Sequence, residues 1–477
     1  MRSRSLSPSL PVLAVTIALL SGTSPPPGSA QEAGTYGHYT VYDRDNPPIS
    51  EYVARRRRLL LGLGQREGML LLSAPSVTRS NDIEYEYRQN NNLLYFTGIT
   101  EPESALLVLR EGMRVDDTVV TEILFVAERN PTHEVWEGIR MGPEVASLLS
   151  GVAVVRPRSE LPAILQSALG NLSLLYAEDP HGSAFRPKDT LDASKIGFLN
   201  LLPRDSLPVR TPVIRNAARL IYPLREIKSE VEIALMQRAV DASIEGHRRA
   251  MRSAYPGIAE YQLEAEMEYA FLAGGGVAGY PSIVGSGPNS CILHYSSNRR
   301  TTEPGDLVLM DCGAEYLGYA ADITRTFPVN GRFTPEQREI YELVLRAQTE
   351  AIDECRPGRE FVDPHRRAQE IIAEGLVELG IIENEGEVRA WTLHFTSHLL
   401  GLDVHDVGGR RVLQEGMVLT VEPGIYIPAG SRCDPKWWNI GVRIEDDILV
   451  TDDDPINLSA ALERTVKEIE SLVGSNR

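Results

Sequence analysis

Three apolar runs in the second half of the chain each close on a carboxylate, and this constrains the fold more than any other feature. Leu307-Val308-Leu309-Met310 leads to Asp311, Met417 through Val421 to Glu422, and Gly441-Val442-Arg443-Ile444 to Glu445. Short apolar runs bounded by glycine and proline predict buried strands. Such strands carry their terminal acids inward, and a carboxylate taken out of water needs a partner. A further strand is predicted over Tyr319-Ala320-Ala321-Asp322-Ile323, returning after Gly318. A hairpin of the two would set Asp322 roughly across from Asp311. Opposed carboxylates beside apolar runs repel unless a cation lies between them. Asp also commonly ends strands at turns, so the pair alone fits either role.

Histidines concentrate in the same half. His394-Phe395-Thr396-Ser397-His398 is followed by Gly401-Leu402-Asp403-Val404-His405-Asp406, which places three of the nine histidines in one stretch. A lone histidine is usually structural, whereas three so close among glycines and apolar residues point to metal or proton chemistry. Asp406 and Asp447 read as turn or surface residues. Oxygen-rich donors with one imidazole suit Mn²⁺, Zn²⁺, Co²⁺ or Fe²⁺, and five such ligands can hold two ions. Two metals about 3.5–4 Å apart would acidify a bridging water and clamp a tetrahedral oxyanion.

The rest of the chain narrows the class. Its 477 residues suffice for two or three domains, and a formal charge of −18 argues against nucleic acid or anionic membrane as partner. The basic run Arg55 to Arg58 follows Glu51-Tyr52-Val53 and reads as one turn of a solvated helix. Arg2 and Arg4, the apolar stretch Leu10 to Leu20 and Gly28-Ser29-Ala30 have the layout of a secretory signal peptide cleaved after Ala30. Pro11 and Thr16 interrupt the stretch, so no stable membrane anchor is expected. The expected location is secreted or periplasmic. Cys291, Cys312, Cys355 and Cys433 show no CxxC spacing, and Cys291 and Cys312 in strand-like runs read as small buried hydrophobes. Residues 31–50 form an N-terminal arm. Residues 51–215 alternate strand-like runs (Met69–Leu72, Ala105–Leu109, Glu122–Val126) with helical stretches such as 160–169, an α/β pattern without GxGxxG or P-loop. Capping boxes at Ser229–Glu232 and Thr334–Gln337 open amphipathic helices, and another helix near 365–379 stops at Gly380. Residues 222–477 thus read as an α+β catalytic half.

The order Asp311, Asp322, His398, Glu422, Glu445 resembles the five-ligand signature of the pita-bread metallopeptidases. Ile283-Val284-Gly285-Ser286-Gly287 with Cys291-Ile292-Leu293-His294-Tyr295, and Asp322-Ile323-Thr324-Arg325-Thr326-Phe327-Pro328, resemble the aminopeptidase P (Xaa-Pro aminopeptidase) branch. Tyr87-Arg88-Gln89-Asn90 and Tyr95-Phe96-Thr97-Gly98 resemble the N-terminal domain of that branch, so the likeness spans roughly residues 50–470. Leu94 departs from it, standing where bacterial members often carry tryptophan.

The resemblance implies an α/β N-terminal domain and a pita-bread catalytic domain acting on peptides with proline at position 2. It implies two divalent ions per chain, Mn²⁺ first, and a homo-oligomer. Asp311, Asp322, His398, Glu422 and Glu445 would be the metal ligands, with Asp322 and Glu445 bridging and Glu422 also taking the proton of the bridging water. His405 would stabilise the scissile carbonyl, His294 and His394 would border the proline pocket, and Arg443 and Tyr426 would support them. Asp82 falls where some members contact the substrate amine. A prolidase of the same fold would share this site. A pita-bread binding protein without metals would usually show a broken ligand set, whereas all five positions are intact here.

Overall fold

The computed structural model describes residues 34–178 and 212–475. The expected signal peptide and its expected cleavage after Ala30 fall outside the described residues. The arm forms a small antiparallel hairpin, Gly34–Tyr36 with Tyr39–Val41, and leads into the helix Ile49–Gly62.

The first half is built on a six-stranded mixed sheet in the spatial order Val213–Asn216, Leu174–Ala177, Glu67–Leu72, Ala105–Val115, Thr118–Val126, Val155–Pro157. The three apolar runs predicted as strands lie here, and the helix Leu161–Leu169 covers one face. The helix Ile49–Gly62 contains the basic run as expected and leaves Arg57 and Arg58 exposed, but Arg55 and Arg56 are only 1% and 2% exposed, which corrects the expectation for those two. Arg55 donates to the Tyr95 carbonyl (3.0 Å) and Arg56 to the Phe96 carbonyl (2.8 Å). Those carbonyls end the helix Asn91–Thr97, where no intrahelical donor remains for them. The charges are balanced by Glu232 and Glu122. Leu94 of that helix packs against the continuous apolar core that runs on into the second half.

In the second half, short antiparallel ladders are enclosed by the helices Glu230–Ser253, Glu260–Ala273, Pro335–Ile352 and Asp363–Glu378. Both predicted capping boxes are present, at Ser229 and Thr334, and the last helix ends before Gly380, at φ +68°. Among the described residues no helix is long and apolar enough to cross a membrane. The four cysteines are unpaired; Cys312 is buried, whereas Cys291 ends a 3-10 turn and is only half-buried.

The expected hairpin is present, with a corrected register. Leu307–Asp311 pairs with Thr324–Pro328, which puts Asp311 opposite Thr324, not Asp322. The returning strand stops at Ala320 and resumes at Thr324. The two-residue turn Leu317-Gly318, at φ +47° and +89°, sets one register for the whole hairpin, from Tyr316 with Tyr319 out to Asp311 with Thr324. Asp322 therefore faces Gly313, where a Cβ would lie 1.8 Å from the Ala321 carbonyl oxygen and only glycine fits.

Candidate metal centre

Five elements deliver the acids and the imidazole to one place. Asp311 ends the strand Leu307–Asp311, Glu422 follows Val418–Val421, and Glu445 lies between Ile440–Arg443 and Asp446–Leu449. The His398 loop runs beside Val418–Val421, tied by Thr420 N to His398 O (2.9 Å), Leu400 N to Val418 O (3.0 Å) and Glu422 N to Thr396 O (2.8 Å). Potential ligand atoms of Asp322, His398 and Glu445 all lie within 4.8 Å of one another. His398 Nε2 is 3.4 Å from Asp322 Oδ2 and 3.6 Å from Glu422 Oε1. The Tyr280 hydroxyl joins Asp311 to the group, at 2.6 Å from Asp311 Oδ1 and 2.5 Å from Asp322 Oδ1. One hydroxyl has one proton, so it cannot satisfy two carboxylates at once.

The electrostatics of this cluster favour a cation. Burial raises the Glu422 carboxyl to about 7, although the charges of His398 and Arg443 act against it. Burial and the charge of Asp311 raise Asp322, and burial with Asp322 and Glu422 raises Glu445 well above the carboxylate range. Asp311 goes the other way: against burial, Arg443 at 2.6 Å holds it below its ordinary value. Against burial, the hydrogen bond to Asp322 and the charge of Glu422 lift His398 to about 9. Four carboxylates around one imidazole form an oxygen-rich donor set that fits divalent ions. Asp311, Asp322, His398, Glu422 and Glu445 could hold them.

The supporting residues converge on the same cleft, which measures about 590 Å³ and is lined by His294, His394, His405 and Arg443 as well as the four acids and the imidazole. His394 Nε2 lies 2.7 Å from the Tyr426 hydroxyl, which accepts from Arg443 Nη1 at 2.8 Å. Tyr426 is itself 1% exposed, so it acts on the cleft through these two side chains. Burial and Arg443 pull His394 down to about 4. His405 packs edge-on to His398 at 4.4 Å, and burial and then the neighbouring His398 lower it to about 4. Asp82 is not brought in. It sits exposed on the turn between Thr78–Ser80 and Ile83–Glu84 and does not line the cleft.

Two acids read as surface residues are buried supports. Asp447 is fully buried, and its Oδ2 accepts from the Asp322 backbone N–H at 3.1 Å. Asp406 is gripped by Arg225 Nη2 (2.6 Å) and Lys228 Nζ (2.8 Å), which hold its carboxyl below the ordinary range in spite of burial. Arg225 also donates to Asp403 Oδ2 (2.7 Å) and Asn92 Oδ1 (2.7 Å), and Asn91 Nδ2 donates to Asp403 Oδ1 (2.7 Å). The N-terminal domain therefore clamps the loop that carries His405. Nothing in the local sequence marks Tyr280, Asn91, Asn92 or Arg225 for these roles, because every partner is remote in the chain. Asp406→Asn leaves Arg225 and Lys228 buried with less counter-charge and is expected to lower unfolding free energy by about 3 kcal/mol. Urea denaturation of the full chain measures this; a loss below ~1 kcal/mol would show that the clamp contributes little.

Residues 234–452 match the model of metallopeptidase family M24, and residues 52–176 match that of the aminopeptidase P N-terminal domain. The Xaa-Pro aminopeptidase of Escherichia coli is 40% identical over 443 residues, covering 90% of this chain and 98% of the relative. The structure of Escherichia coli aminopeptidase P with the inhibitor Pro-Leu superposes with a TM-score of 0.81 at 38% identity, covering 89% of this chain and 98% of the other. A zinc-substituted form of that enzyme in complex with product gives 0.81 at 38% identity over 90% and 99% of the two chains.

Proposed function

Because the chain belongs to the aminopeptidase P family of M24 metallopeptidases, we propose that it hydrolyses the bond between the N-terminal residue and a proline at position 2 of peptides, using two divalent ions held by Asp311, Asp322, His398, Glu422 and Glu445. The observation that carries this reading is the convergence of four acids and His398 beneath a cleft walled by His294, His394 and His405. Divalent ions bound there supply Lewis acidity and acidify water at neutral pH.

The chain's own groups carry the proton work. Glu422 would take the proton of the attacking water and return it to the proline nitrogen as the carbon–nitrogen bond breaks. His405, neutral near pH 7, donates a ring N–H toward the carbonyl oxygen as negative charge develops. Arg443 fixes Asp311 with one nitrogen and, through Tyr426, holds His394 with another.

Proline makes the scissile amide tertiary and removes its N–H. A cleft that selects the ring by shape, between His294 and His394, needs no acceptor for that missing donor. In a panel of Xaa-Pro-Yaa, Xaa-Ala-Yaa and Xaa-Pro substrates, the first should be cleaved about 10–200-fold faster than the second. Turnover of Xaa-Pro dipeptides with longer peptides left intact would make the enzyme a prolidase. Equal rates on proline and alanine series would remove the proline specificity.

We further infer that residues 1–30 direct export and are removed, so that the mature chain begins at Gln31. Intact mass of the protein from its native host reads this directly; a chain retaining Met1 in the cytosol overturns it.

A further inference from the structure

Two clefts meet at the metal centre. The one described above shares His294, Asp311, Asp322 and His405 with a second, of about 500 Å³, lined by Tyr280, Pro281, Asp403 and Val404. The second is acidic, and its Asp403 is held by Asn91 of the N-terminal domain and by Arg225. An acidic end suits the ammonium and side chain of a peptide's first residue. The chain beyond the scissile bond then leaves through the other cleft, whose wall changes from carboxylates to Leu293, Phe361 and Phe395.

Phe395 is built for contact there. It is 42% exposed, yet its ring is held at 4.2 Å from the His365 ring, nearly parallel, and Phe361 lies parallel to it at 6.3 Å. His365 Nδ1 is fixed in turn by the Thr396 hydroxyl at 2.9 Å. The preceding turn is strained: Leu393 has φ +52°, and His394 N bonds back to Thr392 O at 2.6 Å. That turn aims His394 at the metal centre and presents Phe395 at the next position.

We propose that Phe395, backed by His365 and flanked by Phe361, forms the subsite for the side chain of the third residue of the substrate and selects an aromatic or large aliphatic one. The proposal rests on the Xaa-Pro aminopeptidase reading. Aromatic rings arranged this way favour stacked or edge-on apolar partners.

The test is a series of Xaa-Pro-Yaa-Gly peptides with Yaa as Phe, Leu, Gly or Asp, and a matched series varying Xaa. The manganese-loaded enzyme should favour Phe and Leu over Gly at Yaa by about tenfold in kcat/KM, carried mainly by KM. Phe395→Ala should collapse that ratio to about twofold or less, and Phe395→Leu should keep part of it. A flat Yaa series in the wild-type enzyme, an unchanged ratio in Phe395→Ala, or a Phe395-dependent preference that follows Xaa would each overturn the subsite. Failure to cleave any Xaa-Pro bond would instead overturn the underlying activity and the subsite with it.

Discussion

Glu422→Gln is expected to lower kcat on an Xaa-Pro peptide by about three orders of magnitude, within the range for loss of a positioned general base. Glutamine keeps the shape and one oxygen donor but accepts no proton. Glu422 stands between two partners, His398 Nε2 at 3.6 Å from Oε1 and His394 Nδ1 at 3.4 Å from Oε2. The substitution therefore removes negative charge from the ligand set as well as the base, and bound metal should fall alongside kcat. His405→Ala provides the contrast. His405 lines the cleft against His398 and is outside the ligand set, so its loss should leave metal content intact and lower kcat by about two to three orders of magnitude, the scale for one oxyanion donor. Steady-state kinetics with metal analysis of the same preparations separates the two. Unchanged kcat in fully metallated His405→Ala would remove the role given to His405.

The contrast between what is local and what is remote also explains which parts of the structure are legible in the chain. Asp311, Glu422 and Glu445 could be picked out because each ends a strand-like run, a pattern contained within five or six residues. The capping boxes at Ser229 and Thr334 are local in the same way. The sequence leaves the register of Asp311 against Asp322 open, because it depends on which two residues form the turn; Leu317-Gly318 do, and Thr324 then faces Asp311. Arg55 and Arg56 resemble a solvated charge run until the carbonyls of Tyr95 and Phe96, 40 residues away in each case, are folded against them. Asp406 fails for the same reason, since its partners Arg225 and Lys228 precede it by 181 and 178 residues. Charge reads as surface whenever the neutralising partner is distant in sequence. The family likeness supplied the ligand assignment that local pattern left open, and Tyr280, which the likeness had not drawn out, emerged only from geometry.

Removal of divalent metal should abolish activity and Mn²⁺ addition should restore it, and the same cluster predicts how the folded state will respond to pH. Without a cation, Glu422 titrates near 7, and Asp322 and Glu445 are also raised. A carboxyl whose folded pKa exceeds its unfolded value binds more protons in the native state. Its contribution to stability is full below the unfolded pKa and declines as pH rises through the folded one. For Glu422 that window runs from the ordinary glutamate value of 4.5 to about 7. His398, raised to about 9, must also shed a proton to bind metal through the ring nitrogen that faces Asp322. Metal binding is therefore proton release, and affinity should rise with pH between about 6 and 9. The melting temperature of metal-loaded protein should exceed that of metal-free protein by a margin that widens over the same interval, because bound ligand stabilises according to its affinity. Calorimetric titration in buffers of different ionisation enthalpy counts the protons, and elemental analysis of active enzyme should approach two ions per chain. Full activity after exhaustive chelation would defeat the metal mechanism, and a melting-temperature gap that narrows from pH 6 to 9 would show that the buried acids are not the groups the metal displaces protons from.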